Sequence, residues 1–115
     1  MTALSQKELT KVWGDAAKVS VEVVGERIAQ HKKWGVQNHP DGTGMPAQKS
    51  AAERAKMTCD YLARTGNLSW ADILREEFHE ALAESDPALL REELIQVAAV
   101  AAAWVEAIDR RTDTK

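Results

Sequence analysis

The chain has 115 residues, of which 44% are hydrophobic and 29% charged, which suits one soluble domain with one core. Its 15 basic and 18 acidic residues give a net charge of −3, which argues against a nucleic-acid surface. The sequence contains neither an apolar run long enough to cross a membrane nor the apolar segment of a signal peptide, so a cytoplasmic protein is expected. The single cysteine, Cys59, excludes an internal disulfide and a Cys-based zinc site.

The first predicted helix runs from about Gln6 to about Lys33. Gly14 and Gly25 each cost a helix roughly 1 kcal/mol relative to alanine, so a break near either glycine is the alternative. The apolar residues of this segment recur every three to five positions, near the helical repeat: Leu9, Val12, Ala16, Val19, Val23 and Ile28. Residues 35–46, which read GVQNHPDGTGMP, then predict a long loop that is functional or mobile.

Three more helices follow the loop. The second spans roughly Ala47 to Thr65 and ends near Gly66, a residue typical of helix C-termini. Its apolar stripe is Ala51, Ala55, Thr58, Cys59 and Leu62. The third starts at Ser69 with Asp72 in an acidic variant of the capping box and runs to about Ser85.

The fourth predicted helix starts at Asp86 and Pro87 and continues to about Arg110. Its apolar stripe is Leu90, Leu94, Val97, Ala101, Trp104, Val105 and Ile108. Short connections between amphipathic helices predict an all-α antiparallel bundle or a helical dimer. We expect a single domain over residues 1–115, with frayed ends at about 1–5 and 112–115.

Acidic residues on the third and fourth helices are the main candidate site. Glu77 and Glu80 are three residues apart and therefore share a helix face, as do Glu93 and Gln96. The short link at 85–86 folds the helices back, so the two faces can meet. Three carboxylates and an amide carbonyl offer only oxygen, which suits Mg²⁺ or Mn²⁺ better than zinc. A single E-x-x-E pair is usually a solvated face. Two such pairs at the margin of an apolar stripe are less easily explained in that way, so the pattern leaves a metal site and a solvated face as alternatives.

The acidic pattern resembles a known family. Glu76-Glu77-x-x-Glu80 followed by Glu93-x-x-Gln96 resembles the EExxE…ExxD motif of the MazG-like all-α nucleoside triphosphate pyrophosphohydrolases. The segments ERIAQHKKWGVQNHPDGTG, WADILREEFHEALAESD and LREELIQVAAVAAAWVEAIDRR are similar to small MazG-like proteins of actinobacteria and their phages. The resemblance covers most of residues 26–111.

The resemblance implies an activity and a set of residues. Members of the family are helical bundles that assemble as dimers or tetramers and cleave a nucleoside triphosphate, (d)NTP, to a monophosphate and pyrophosphate. By position, Glu77, Glu80 and Glu93 are the implied catalytic metal ligands. Gln96 replaces the usual Asp, and it offers an oxygen without a charge. That departure leaves an alternative: a non-catalytic relative that binds nucleotide or metal, or only another protein.

Residues outside the acidic motif are weaker candidates for substrate binding. Trp34 either stacks on a nucleobase or anchors the core beside the loop. Asn38, His39 and Asp41 either read the base or form local turn hydrogen bonds. The nearest basic residues for a triphosphate are Lys49, Arg54 and Lys56 of the second helix, which equally fit a solvated face.

His79 lies between Glu77 and Glu80 in sequence but points away from their face, so we interpret it as a solvated side chain. Trp70 and Trp104 are read as core, and Trp13 as core or as an oligomer contact.

Overall fold

The fold of the protein was obtained as a computed structural model, and the structure describes residues 3–113, without the side chain of Asp113. The predicted frayed residues 1–2 and 114–115 lie outside the described part. Within that part the chain forms four helices and contains no strand, which confirms the prediction of an all-α chain. The helices are α1 (Gln6–Trp34), α2 (Pro46–Arg64), α3 (Trp70–Ala83) and α4 (Pro87–Asp113).

The helix starts follow the capping signals of the sequence. The Ser69 side chain accepts a hydrogen bond from the Asp72 backbone N–H at 3.3 Å, and the Asp72 carboxylate accepts one from the Ser69 N–H at 3.1 Å. The Asp86 carboxylate accepts a hydrogen bond from the Leu89 N–H at 3.1 Å, and Pro87 occupies the first position of α4. These bonds satisfy backbone donors that a helix leaves unpaired at its start.

Several predicted boundaries differ from the structure by a few residues. α2 begins at Pro46, which takes the first helical position rather than ending the loop. α3 ends at Ala83 instead of Ser85, because the backbone turns extended at Glu84. α4 continues to Asp113, beyond the predicted Arg110. α1 is continuous through Gly14 and Gly25, so neither predicted break occurs.

The chain divides into two compact units. One contains α1 and the last part of α4, from Ala102 onward, and the other is Pro40–Ala101. In the second unit α2 packs against α3. The buried residues of this unit are Ala55, Cys59, Ala81 and Leu90, two of which lie on the predicted stripe of α2. In the first unit Val19 is buried.

The predicted tryptophan positions are only partly realised. Trp70 and Trp104 are half-buried. Trp34 is 60% exposed, with the Lys33 ammonium 5.0 Å from its ring centroid, so the interpretation as a core anchor is wrong. Trp13 is 77% exposed and is not part of the core of this chain. Among residues 3–113, no helix combines the length and the apolar character needed to span a bilayer.

The end of the long loop is fixed to the junction between α3 and α4. The Gly44 N–H donates to the Leu82 carbonyl at 2.9 Å, and the Thr43 hydroxyl donates to the Glu84 carbonyl. Gly44 has a φ of 83°, and a Cβ at this position would come within 2.6 Å of the Ser85 Cβ. The Gly42-Thr43-Gly44 segment therefore has a structural role, because it brings the start of α2 to the link that follows α3.

Candidate metal centre

The predicted acidic residues meet between α3 and α4. Glu77 and Glu80 come from α3 and Glu93 from α4, and one carboxylate oxygen of each lies within 4.8 Å of the others. Oxygens around an octahedral Mg²⁺ are at most about 4.2 Å apart, since each is about 2.1 Å from the ion. Side-chain movements of under about 1 Å would therefore bring these oxygens to ligand distances. Among the described residues, no other group of three His, Cys, Asp or Glu side chains is arranged in this way.

Burial makes this group different from a solvated acidic face. All three side chains are half-buried. Oε2 of Glu77 and Oε2 of Glu93 are buried, and neither has a hydrogen-bond partner. An unpartnered carboxylate oxygen away from water is costly, so such atoms require a proton or a cation.

Electrostatics within the cluster favour the neutral carboxyl when no cation is bound. Burial, followed by the charges of Glu77, Glu76 and Glu93, raises the pKa of Glu80 from 4.5 to about 7. Burial, followed by the charges of Glu93 and Glu76, also raises the pKa of Glu77. Both causes act on the charged form, which low dielectric and like charges disfavour. A bound divalent cation would offset both effects, because its charge stabilises the ionised carboxylates.

We expect the metal-free protein to lose stability as the pH rises from about 4.5 to about 7. A carboxyl group whose pKa is higher in the folded state binds more protons there, so folding is favoured at low pH and that advantage is lost as the pH rises through the folded pKa. Urea midpoints measured in a chelator at about pH 5 and about pH 8 test this. Glu80→Gln should reduce the difference between the urea midpoints at the two pH values. In wild type, Mg²⁺ should raise the urea midpoint mainly at the higher pH. An equal pH dependence in Glu80→Gln would contradict the assignment.

The remaining predicted site residues have exposed side chains. Gln96 and Glu92 are exposed, and Gln96 lies one helical turn beyond Glu93. The candidate substrate residues Asn38, His39, Lys49 and Lys56 are exposed, and Trp34 is at the end of α1. Their role in substrate binding stays a prediction.

A groove between α2 and α3 carries polar residues that sequence reasoning did not group. Its volume is ≈ 420 Å³. Asp72, Arg75 and His79 recur every three or four residues along one face of α3, which is not the face of Glu77 and Glu80. The lining residues are Ala51, Arg54, Ala55, Thr58, Cys59, Asp72, Arg75 and His79. The spacing of three and four residues shows from the sequence that Asp72, Arg75 and His79 share a face of α3. Which residues of α2 lie opposite that face follows only from the tertiary structure.

Two residues that line this groove, His79 and Cys59, have environments that the sequence did not predict. His79 is half-buried and its ring meets that of Phe78 edge-on at 5.5 Å, so it is not a freely solvated side chain. A hydrogen bond with Glu76, followed by burial, raises the pKa of the Cys59 thiol to about 11. The thiol is therefore protonated near neutral pH and is a poor nucleophile.

Comparison of the chain with protein-family models, with curated proteins and with solved structures finds no match. Membership of the MazG-like family stays a prediction based on the acidic motif and the segments around it.

Proposed function

We propose that the protein is a Mg²⁺-dependent nucleoside triphosphate pyrophosphohydrolase that holds its ion with Glu77, Glu80 and Glu93. The observation that carries the proposal is the pair of buried oxygens without partners, Oε2 of Glu77 and Oε2 of Glu93. Their carboxylates come from two helices, and one oxygen of each lies within 4.8 Å of a carboxylate oxygen of Glu80. An oxygen-only set of this kind fits Mg²⁺, with Mn²⁺ as the alternative. The resemblance of the motif to MazG-like enzymes supplies the reaction.

The reaction is hydrolysis between the α and β phosphates. Water attacks one of the two phosphorus atoms that share the bridging oxygen, the bond from that phosphorus to the bridging oxygen breaks, and the products are a nucleoside monophosphate and pyrophosphate. Bound Mg²⁺ would offset phosphate charge and lower the pKa of the attacking water. The three glutamates would orient the triphosphate through that ion, and a glutamate of the cluster would accept the proton of the water. Catalysis of this type depends mainly on positioning and charge, which two packed helices can supply.

Gln96 favours a second candidate function. It stands where the motif usually has Asp, brings no charge and is exposed. A site with three carboxylates would hold the ion more weakly than one with four. The protein would then be a non-catalytic relative that binds metal or nucleotide. A bundle that only contacts another protein would bind neither.

The test is a panel of canonical and modified (d)NTPs incubated with the purified chain and Mg²⁺ or Mn²⁺, with pyrophosphate release as the readout. We expect release from at least one nucleotide and none in chelator. Nucleotide binding by calorimetry without release would support the non-catalytic relative. The absence of any Mg²⁺-dependent rise in melting temperature would indicate a solvated acidic face, because a ligand that binds only the folded state must stabilise it.

The proposal also includes a homo-oligomer, as the resemblance implies, and the cytoplasmic location expected from the sequence. Large apolar side chains in both units are about half exposed or more, including Met57, Tyr61 and Ile95 in the second unit. Exposed large apolar side chains of this kind are compatible with a contact between copies of the chain.

A further inference from the structure

The end of α1 forms a hollow whose lining contains no carboxylate. The hollow has a volume of ≈ 250 Å³ and lies within the first unit. Its polar side chains are a guanidinium, an imidazole and two amides, and each of these groups can donate hydrogen bonds. We define the α1 end hollow by its lining residues, Arg27, Gln30, His31, Gly35, Val36 and Gln37.

Helical spacing and one glycine bring these residues together. Arg27, Gln30 and His31 are three or four residues apart, so they share a face of α1. Gly35 ends the helix with a φ of 68°, a conformation that glycine adopts without strain. The chain turns away from the helix axis at this point, and the two residues that follow complete the lining.

The charge of Arg27 faces no carboxylate on its own helix. The residues one turn away on either side are Val23, Val24, Gln30 and His31. Nη1 of Arg27 donates a hydrogen bond to Oε1 of Gln30 at 2.6 Å, which holds the guanidinium at the hollow. A guanidinium has five N–H donors, so this bond leaves several for a ligand.

The hollow lies in the longest stretch of the sequence without an acidic residue. No Asp or Glu occurs between Glu26 and Asp41, although the chain has 18 of them. The same stretch contains three cations, Arg27, Lys32 and Lys33. The dipole of α1 places roughly half a negative charge at this end of the helix, which three full positive charges outweigh. The local field therefore favours an anion, in a protein whose net charge is −3.

Two other hollows with charged linings differ because each contains carboxylates. The groove between α2 and α3 includes Asp72, which pairs with Arg75 at 3.1 Å. A cavity of ≈ 440 Å³ lined by residues of α1 and the last part of α4 contains three carboxylates, and there Lys11 pairs with Asp15 at 3.2 Å. Ion pairs within the chain account for the cations of those two sites, but not for Arg27.

The helix dipole does not account for the whole arrangement either. Cations in the last turn of a helix stabilise it, which explains Lys32 and Lys33. Arg27 lies two turns before the end of α1, beyond the reach of that effect, and Gln37 lies after the helix. A ligand that accepts hydrogen bonds gives these two residues a common role.

We propose that the α1 end hollow binds a phosphate group, with Arg27, His31 and the side-chain amide of Gln37 as donors. Phosphate carries between one and two negative charges near neutral pH and presents three or four oxygens, whereas a carboxylate carries one charge and two oxygens. Donors that converge from a helix face and from the following chain therefore suit phosphate better. The guanidinium of Arg27 can bind two of the oxygens at once.

An NMR titration of the full chain, in chelator and without Mg²⁺, tests the proposal. We expect inorganic phosphate to shift the backbone amide signals of Gly35, Val36 and Gln37 saturably, with a Kd of about 1 mM because the site is exposed. Sodium chloride at the same ionic strength should not shift these signals saturably. Tighter binding of glycerol phosphate than of inorganic phosphate would identify a phosphate ester as the natural ligand, and the reverse would identify the free ion. Saturation by neither would overturn the proposal.

Two variants show whether the named donors hold the ligand. Arg27→Gln should raise the Kd about ten-fold, because it removes a charge-assisted hydrogen bond. Arg64→Gln makes the same change at an exposed position of α2 and should leave the Kd within about two-fold of wild type. Gln37→Glu places a carboxylate in the hollow outside any helix and should abolish saturation. Equal effects of Arg27→Gln and Arg64→Gln, or tight binding by Gln37→Glu, would show that phosphate responds only to the overall charge.

The phosphate site does not depend on the proposed metal centre. All three carboxylates of that centre belong to the other unit, Pro40–Ala101. Glu77→Gln should therefore leave the Kd for phosphate unchanged in chelator. Phosphate binding without pyrophosphate release from any nucleotide would support the hollow and remove the proposed enzyme. Pyrophosphate release without saturable phosphate binding would remove the hollow and leave the enzyme.

Discussion

Glu77→Gln is expected to reduce the rate of pyrophosphate release at least about 100-fold at saturating nucleotide and fixed Mg²⁺. The substitution keeps the volume of the side chain and replaces the buried, unpartnered Oε2 by a neutral group. It therefore removes a charged ligand without opening a cavity. Steady-state kinetics over a range of Mg²⁺ concentrations is the measurement, and weaker metal affinity should appear as a higher Mg²⁺ requirement.

The stability of Glu77→Gln separates chemistry from folding. The charges of Glu93 and Glu76 disfavour an ionised Glu77. Removing one carboxylate relieves this repulsion, so the metal-free variant should melt at the same temperature as wild type or higher. If the variant were inactive because it unfolds, it would melt at a lower temperature than wild type. The loss of activity would then not be evidence that Glu77 is a metal ligand.

Two substitutions on α4 complete this experiment. Glu92→Gln removes a neighbouring exposed carboxylate and should leave the rate within about two-fold of wild type. Gln96→Asp restores the residue that the motif usually carries and should lower the Mg²⁺ requirement or raise the rate. Glu77→Gln with wild-type kinetics would mean that Glu77 is not a ligand of the catalytic ion. If Glu92→Gln lost as much activity as Glu77→Gln, acidic charge in general, and not the α3–α4 cluster, would support the reaction.

Gly44→Ala is expected to destabilise the fold by about 2–4 kcal/mol, which lowers the melting temperature by about 10 °C or more. Two causes add. At a φ of 83° a side chain is strained, which costs about 1 kcal/mol. The new Cβ would also come within 2.6 Å of the Ser85 Cβ, so the loop must move away from the α3–α4 junction. That movement would break the hydrogen bond from the Gly44 N–H to the Leu82 carbonyl.

Other glycines supply matched controls for the same change. Gly42 has a φ of 69° with nothing near its position for a Cβ, so Gly42→Ala should cost only the conformational strain, about 1 kcal/mol. Gly14 lies within α1 with open space around it, and Gly14→Ala should stabilise by about 0.5–1 kcal/mol. Urea denaturation of the three variants measures these differences. Equal destabilisation by Gly44→Ala and Gly42→Ala would show that the approach to Ser85 does not matter.

Local signals were sufficient to predict the helices and the shared face of the acids. The Ser69 cap and the Asp86-Pro87 start each depend on residues within one turn, so the sequence contains the whole cause. Glu77 and Glu80 share a face because of their spacing alone. Their approach to Glu93 followed from a short link, which leaves little choice of where the next helix begins.

Features that depend on distant parts of the chain were not predictable in this way. The close approach of Gly44 to Ser85 joins residues 41 positions apart, and nothing local to either residue indicates it. The groove with Arg75 and His79 requires knowledge of which face of α3 meets α2. The sequence left Trp34 as either a core anchor or a nucleobase contact, because an aromatic residue beside a loop has the same local pattern whether it is buried or exposed.

The thiol of Cys59 can be used to follow local unfolding of the native chain. Its high pKa and its burial in α2 protect it from alkylating reagents while the second unit is intact. Because the chain has no other cysteine, each adduct records one opening of that helix pair. When alkylation is faster than reclosing, mass spectrometry of the alkylated protein would therefore give the opening rate without an introduced thiol.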